Sequence, residues 1–267
     1  MNIIFSGDNH VYYNDQRNSV RNMMTKIRNA HPDVVCYCGD IGEILLRKDM
    51  SLIQELFSIS PTLFIPGNHD LYSHQKQTPH EAMNMFLQNM HYGISLQKSW
   101  EDSTTFYEKD GVFFLGSMLF PDFADPRLII GKKYYDNRCP TIDETYLNLR
   151  DGWLQFTISL LRAFEKKLQL VDESKCKNIV ILTHYPCFLS QYNMNPNDDI
   201  SPYFFCYLAG EMIRKVAEKN TEKKFYAVAA HGHEYCRGEW VSDGNLFTHG
   251  LKTTYISQDF ISLEILE

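Results

Sequence analysis

The sequence predicts an α/β fold built on parallel strands, and three observations carry that reading. Short apolar runs at 2–6, 33–38 and 61–65 each end in a glycine-bearing polar cluster: Gly7-Asp8-Asn9-His10, Gly39-Asp40 and Gly67-Asn68-His69-Asp70. Segments of helical length at 17–30 and 49–58 separate them, so the first quarter of the chain predicts β-α-β-α-β with a parallel sheet. A second series repeats the form, with 178–183 ending in His184, a helix at 208–219, and 225–230 ending in His231-Gly232-His233.

The remaining elements follow in chain order. A helix is expected at 80–90, then strands at 94–97, 104–107 and 112–117, with Gly111 after Lys109-Asp110 supplying a hairpin turn. Residues 121–144 show no periodicity and predict an excursion over the site. An amphipathic helix at 152–170 places Leu154, Ile158, Leu161, Phe164 and Leu168 near one face. Strands at 246–248 and 260–266 complete the chain. No repeat, low-complexity run or linker interrupts it, so one domain over 1–267 is expected, with substrate-shaping excursions near 121–144 and 187–207.

Composition narrows the function classes. A chain of 267 residues with 44% hydrophobic and 22% charged residues can bury a sizeable core, which excludes a disordered or fibrous protein. The longest uninterrupted apolar run, 203–209, is far short of the ~20 residues a membrane span needs, so no membrane partner is expected. The N-terminus enters its first strand without a basic region or cleavage site, which argues against secretion. Seven cysteines, an odd number without a tight framework of spacings, fit reduced thiols in the cytoplasm. A net charge of -7 argues against extended nucleic-acid binding, which needs a basic face. A small anionic substrate stays open, because a bound metal can dominate the local field. The sequence assigns no oligomeric state.

The chemistry concentrates where open α/β sheets place their sites, at the carboxyl ends of strands. Asp8-Asn9-His10, Asp40, Asn68-His69-Asp70, His184 and His231-Gly232-His233 each closely follow a predicted strand. Carboxylate, amide and imidazole together suit manganese, iron or zinc better than calcium, which prefers oxygen alone. Residues two apart past a strand direct their side chains to one side, so Asp8 with His10, and His231 with His233, are each expected to reach into one centre. Taken singly, Asp40 after a glycine is a common turn or cap residue, and His184 a common strand-end histidine. It is their order, each after a strand, that points to a site.

With these residues in view, the sequence resembles the calcineurin-like metallophosphoesterase superfamily, whose pattern is D-x-H, G-D-x-x-D, G-N-H-[DE], a lone His, and G-H-x-H. The match runs through Asp8-Asn9-His10, Gly39-Asp40-Ile41-Gly42-Glu43, Gly67-Asn68-His69-Asp70, His184 and Ala230-His231-Gly232-His233. Glu43 stands where that family usually has Asp, and Ala230 where it has Gly. The resemblance implies a four-layer α/β/β/α sandwich of two mixed sheets flanked by helices. It also implies two divalent ions, Mn2+ or Fe2+/Fe3+ foremost, with Zn2+, Ni2+, Co2+ or Mg2+ as alternatives. Asp8, His10, Asp40 and His233 are then implied to bind one ion, and Asp40, Asn68, His184 and His231 the other. His69 is implied to act on the leaving group, oriented by Asp70.

The activity expected is hydrolysis of a small phosphodiester or nucleotide, with a phosphomonoesterase, a nuclease or a non-catalytic module of the same fold as alternatives. The protein Ser/Thr phosphatase branch carries G-D-x-V-D-R-G and an Arg before G-N-H-E. Here Gly39-Asp40-Ile41-Gly42-Glu43-Ile44-Leu45 and Pro66 stand instead, and those arginines are missing. Tyr12, Tyr185 and Arg237 are candidate substrate contacts. Aromatic residues at 192 and 203–205 suggest either a base-stacking wall or core. Cys187 lies beside a complete metal set and is not expected to be catalytic, while His74, His80 and His249 are expected to be surface or structural.

Overall fold

The computed structural model of the protein describes residues 1–11, 17–42, 50–72, 78–122, 124, 153–193, 201–254 and 260–266. β1 (Asn2–Ser6), α1 (Arg17–Asn29), β2 (Val34–Cys38), α2 (Met50–Phe57) and β3 (Thr62–Ile65) alternate as expected, and the strands pair in parallel. α3 (Pro79–Asn89) starts from a capping box in which Thr78 and Glu81 satisfy each other's backbone N–H groups. β4 (Ile94–Ser95) then joins the edge at β3, and β11 (Ile261–Glu264) returns antiparallel to β1, giving the order β11-β1-β2-β3-β4.

The second sheet takes β5 (Tyr107–Lys109), β6 (Val112–Ser117), β7 (Asn178–Thr183), β8 (Lys224–Ala229), β9 (Trp240–Asp243) and β10 (Leu246–Gly250) in the order β5-β6-β7-β8-β10-β9. Its inner strands are parallel and its two edges antiparallel. Two helices, α4 (Trp153–Glu173) and α5 (Tyr207–Lys219), accompany it.

Strand alternation builds the layers. Ile3, Phe5, Cys36, Leu63 and Ile65 point one way and pack with Phe114, Val180, Leu182 and Val228 of the other sheet. Their neighbours Ile4, Val35, Tyr37 and Phe64 point the other way and pack with Val20, Met23 and Ile27 of α1. On the far side Leu115, Ile179 and Ala227 meet Phe164, Leu168 and Ile213 of α4 and α5. Both faces of both sheets are covered, which explains why these strands are continuous apolar runs. The result is the α/β/β/α sandwich.

Three elements differ from expectation for visible reasons. β4 ends at Ser95 because the Ser95 hydroxyl donates to the Gln97 carbonyl at 2.7 Å and turns the chain. The strand expected at 104–107 begins only at Tyr107, since the Asp102 carboxylate takes the backbone N–H groups of Lys98, Thr104 and Thr105. β9, not foreseen, is the first arm of a hairpin with β10 whose turn sets Gly244 at φ +61°.

Candidate metal centre

Both sheets present their parallel strand ends to the same place. Past β1 the chain runs beside the loop after β2, with Asp8 N donating to Gly39 O, His10 N to Asp40 O and Val11 N to Ile41 O, each at 3.0 Å. Gly39, at φ +88°, lets this loop lie against the next, because a Cβ there would sit 2.6 Å from Gly67 N. Ala230, whose methyl replaces the glycine of the resembling pattern, is fully buried, and the space it needs is left by Gly7.

The backbone of the site is strained. Asp8 (φ 52°), His10 (42°), Asp40 (52°), His231 (62°) and His233 (47°) all occupy the left-handed region. For residues other than glycine this costs on the order of 1 to 3 kcal/mol each and persists only where surroundings enforce it. The expected mechanism for side-chain convergence is therefore corrected. Asp8 and His10 share one donor set, but through left-handed turns rather than strand alternation. His231 and His233 do not share one at all.

The donor atoms fall into abutting sets. Asp8, His10 and His233 bring ligand atoms within 4.8 Å of one another, and so do Asp40, His184 and His231. Between them lies Asp40, whose Oδ2 is 3.6 Å from His10 Nε2 and 3.5 Å from His184 Nε2. Asn68 joins the second set, its Oδ1 2.7 Å from His184 Nε2. His69 also stands close, since a ring nitrogen of His69 falls within the same 4.8 Å of His10 and Asp40.

Fit to a cation can be judged from the proton positions. His184 Nδ1 donates to the Cys38 carbonyl at 2.8 Å, which leaves Nε2 as a lone pair. With Asn68 Nδ2 donating to Tyr72 Oη at 3.0 Å, that lone pair faces the electron pairs of Asn68 Oδ1. A cation lying with them would draw on both electron pairs. Burial, reinforced by neighbouring histidines, holds the imidazoles of His10 and His231 well below their usual pKa, and burial foremost brings His69 and His184 down to about 4. All four rings are neutral near pH 7 and so offer lone pairs, as metal ligands must.

Asp70 departs from its expected role. The turn at His69–Leu71 is a 3₁₀ helix, in which consecutive side chains diverge by about 120°. His69 accordingly faces the donor sets, while Asp70 is buried behind them and accepts from Gly42 N at 3.0 Å and Gly67 N at 2.9 Å. It clamps the two loops together and does not orient the His69 ring. Burial raises its carboxyl pKa to about 7 against the pull of these backbone N–H groups. His69 is held instead by its own backbone, whose N–H donates to Asp40 Oδ1 at 2.9 Å, and by the rings of Tyr72 and His10 at 4.5 and 4.8 Å.

Of the candidate substrate contacts, Tyr12 lies outside the described residues, as do Glu43, His74 and most of 121–144. Tyr185 is corrected: it is fully buried, its ring 4.0 Å from that of His231, and supports that histidine from behind. Arg237 is exposed at the end of the turn that carries His233. Cys187 is buried and its thiol pKa is pushed up, which leaves no thiolate nucleophile. Phe204, Tyr192 and Tyr235 form a ladder of stacked rings from His231 to the surface, where Tyr235 is 48% exposed.

Sequence reasoning missed Thr253 and Tyr72. Thr253 Oγ1 donates to Asp8 Oδ2 at 3.4 Å across 245 positions of chain, a separation that carries no local signal. Tyr72, four residues past Asn68, was legible as the neighbour one turn on.

A sandwich that gathers carboxylates, an amide and neutral imidazoles from both sheets into abutting donor sets is built for metal-assisted hydrolysis. The chain matches the calcineurin-like phosphoesterase family over residues 1–237 and belongs to it. It is a metal-dependent phosphoesterase, and the family implies a dinuclear divalent-metal site that the donor sets fit. No curated protein matches the sequence. A dimetal phosphatase from Danio rerio is similar in structure at 14% identity and a TM-score of 0.59, over 98% of this chain and 91% of that one. GAP50, described as the anchor in the inner membrane complex of Plasmodium, is similar at 10% identity and a TM-score of 0.50, over 94% of this chain and 71% of that one. At such identities these likenesses establish the fold. Among the described residues no helix is long and apolar enough to cross a membrane.

Proposed function

We propose that this protein is a cytoplasmic phosphodiesterase acting on a small phosphodiester or nucleotide. The observation that carries the reading is the place of Asp40, one carboxylate oxygen within 3.6 Å of imidazole nitrogens from each donor set. Asp8, His10, Asp40 and His233 would hold one divalent ion, and Asp40, Asn68, His184 and His231 the other, with manganese or iron favoured by the mixed nitrogen and oxygen donors. Bound there, the ions supply positive charge for the phosphoryl oxygens and an activated water as nucleophile.

The protein's own groups do the rest. His184 Nδ1, tied to Cys38 O, keeps its ring in the ligating tautomer, and Tyr185 and Phe204 pack the His231 ring from two sides. His69 is the imidazole left for the substrate. As the water oxygen bonds to phosphorus and the bond to the leaving oxygen breaks, the neutral His69 ring donates a hydrogen bond through its N–H to that oxygen and stabilises the charge that grows on it, while water supplies the proton. Preference for diesters rests on the missing arginines of the phosphoprotein branch. The ladder from Phe204 to Tyr235 supports a substrate with a flat aromatic group. A reducing compartment fits the free thiols of the described cysteines.

The test is elemental analysis joined to a metal-supplemented assay of bis(4-nitrophenyl) phosphate, 4-nitrophenyl phosphate and a phosphopeptide. Two ions per chain and fastest turnover of the diester are expected. Faster turnover of the phosphopeptide would overturn the preference, and a metal-replete protein without ions would overturn the site.

A further inference from the structure

After β10 the chain reaches Asp8 at Thr253, and a half-open pocket of about 250 Å³ lies beside it. Arg237, His249, Lys252 and Thr253 line it, against an apolar wall that includes Leu251 and Phe260. The pocket adjoins the metal centre through Thr253, the residue whose hydroxyl donates to Asp8.

Its polar groups are short of partners. His249 is 1% exposed, and its buried Nδ1 has no hydrogen-bond partner; one side of its ring is occupied by Trp240, edge-on at 5.0 Å. The guanidinium of Arg237 reaches only the Tyr192 carbonyl, at 3.5 Å from Nε, and pairs with no carboxylate among the described residues. Nor does the Lys252 ammonium pair with one. The surface ion pairs of the described residues lie away from this pocket, Arg28 with Glu55, Arg214 with Asp243 and Lys219 with Asp172.

Two cations without a carboxylate partner among the described residues, set around a small, half-apolar pocket, suit an oxyanion, which Arg can bind in a forked pair and Lys as a point charge. The pocket is small, and a phosphate-sized group fits within it. The neighbouring centre already provides for the scissile phosphoryl group. We propose that this pocket is a subsite for a second, non-scissile phosphate of the substrate, which makes the preferred substrate a small bisphosphorylated ester. The proposal rests on the hydrolase reading above.

Two measurements on the metal-loaded protein test it. In the first, surface lysines are acetylated with and without saturating inorganic phosphate and mapped by mass spectrometry. Labelling of Lys252 should fall severalfold with phosphate, and that of Lys177, at the opposite end of the second sheet, should not change. In the second, KM and kcat are compared for adenosine 5′-monophosphate and for the 2′,5′-bisphosphate, 3′,5′-bisphosphate and 5′-diphosphate. At least one doubly phosphorylated compound should have a KM lower by about tenfold, the scale of one charge-assisted hydrogen bond. Arg237→Met with Lys252→Met should abolish that advantage, and Lys177→Met should keep it. Unprotected Lys252, or equal KM for all four compounds, overturns the subsite. Protection of Lys252 in a protein with no metal-dependent turnover overturns the hydrolase reading and the pocket's role toward substrate together, while equal KM in an active enzyme overturns the subsite alone.

Discussion

His69 and His231 are both buried imidazoles within one cluster, and the structure separates them by what holds each ring. His231 is packed between Tyr185, Phe204 and His184, with its backbone N–H on Asp8 Oδ1 at 3.1 Å, so its only outlet is the donor set. His69 keeps a partly open face. His69→Gln is therefore expected to retain its metal while turnover falls by roughly 10² to 10³, the scale of losing one well-placed donor to a developing oxyanion, and by less for substrates with acidic leaving groups. His231→Gln should lose metal and activity together. Full activity of His69→Gln on a poor leaving group, or loss of its metal to the same degree, would refute the assignment. Asp70→Asn tests the corrected role of its neighbour. An amide can accept from only one of Gly42 N and Gly67 N and sets an N–H donor against the other, so the clamp between the loops weakens. Stability should drop by about 1 to 3 kcal/mol and metal affinity with it, while the pH dependence contributed by His69 stays as in wild type. Melting curves and metal titrations check this, and unchanged stability with a shifted pH profile would restore Asp70 to the imidazole.

One buried cation joins elements across the second half of the fold. Lys167 of α4 is fully buried, and its ammonium donates to Leu96 O at 2.8 Å, Gly116 O at 3.1 Å and Asp102 Oδ2 at 3.3 Å, which ties the helix to β6 and to the turn after β4. Burial lowers its pKa to about 8, while Asp102, whose burial alone would raise it, is brought to about 2 chiefly by Lys167 and by backbone N–H donors. The lysine binds fewer protons folded than unfolded between pH 8 and its ordinary value of 10.5, so its contribution to stability rises with pH through that window and is lost as pH falls through 8. Asp102 acts in the same sense at acid pH, with stability present above 3.8 and lost as pH falls toward 2. Lys167→Met should destabilise by about 3 to 5 kcal/mol, because it strands two carbonyls and a carboxylate. The gap between wild type and variant, measured by urea unfolding, should widen from pH 8 to 10.5, and a gap that narrows there would contradict the linkage. Neither this lysine nor β9 was legible beforehand. Apolar periodicity located the strands and helices to within a few residues because burial on one or both faces dictates it. The role of Lys167 depends on which carbonyls the tertiary fold leaves open, and the departure at 104–107 on where one carboxylate meets the backbone. The donor residues themselves were legible as strand-end polar clusters. Their partition between two sets came from the family resemblance and not from spacing, since it follows from left-handed turns at Asp8, His10, Asp40, His231 and His233 that sequence spacing does not encode.

At the scale of the molecule, the metal centre is also the place where the two sheets are joined by polar contacts. Asp8, His10, Asp40 and Asn68 come from the strand ends of the first sheet, and His184, His231 and His233 from those of the second. Without cations, this junction keeps the acceptors of Asn68 and His184 together on strained backbone, held by the bonds from His184 Nδ1 to Cys38 O and from His231 N to Asp8 Oδ1 and by the apolar layer beneath. A ligand that binds only the folded state stabilises it by about 2.7 kcal/mol at a free concentration of 100 times its Kd, and two such sites add. For a domain of this size each kcal/mol moves Tm by roughly 2 °C, so saturating manganese should raise Tm by about 10 °C over protein held in a chelator. The strain at the five left-handed residues is enforced by this junction, so hydrogen exchange in the segments around 7–11, 39–42 and 230–236 should slow on metal addition more than in the sheet interiors. His231→Gln should lose at least half of the gain in Tm, because its set is broken, and His69→Gln should keep nearly all of it. If Tm is the same with metal and with chelator, or if exchange slows uniformly through both sheets, then cations do not bridge the sheets at this junction.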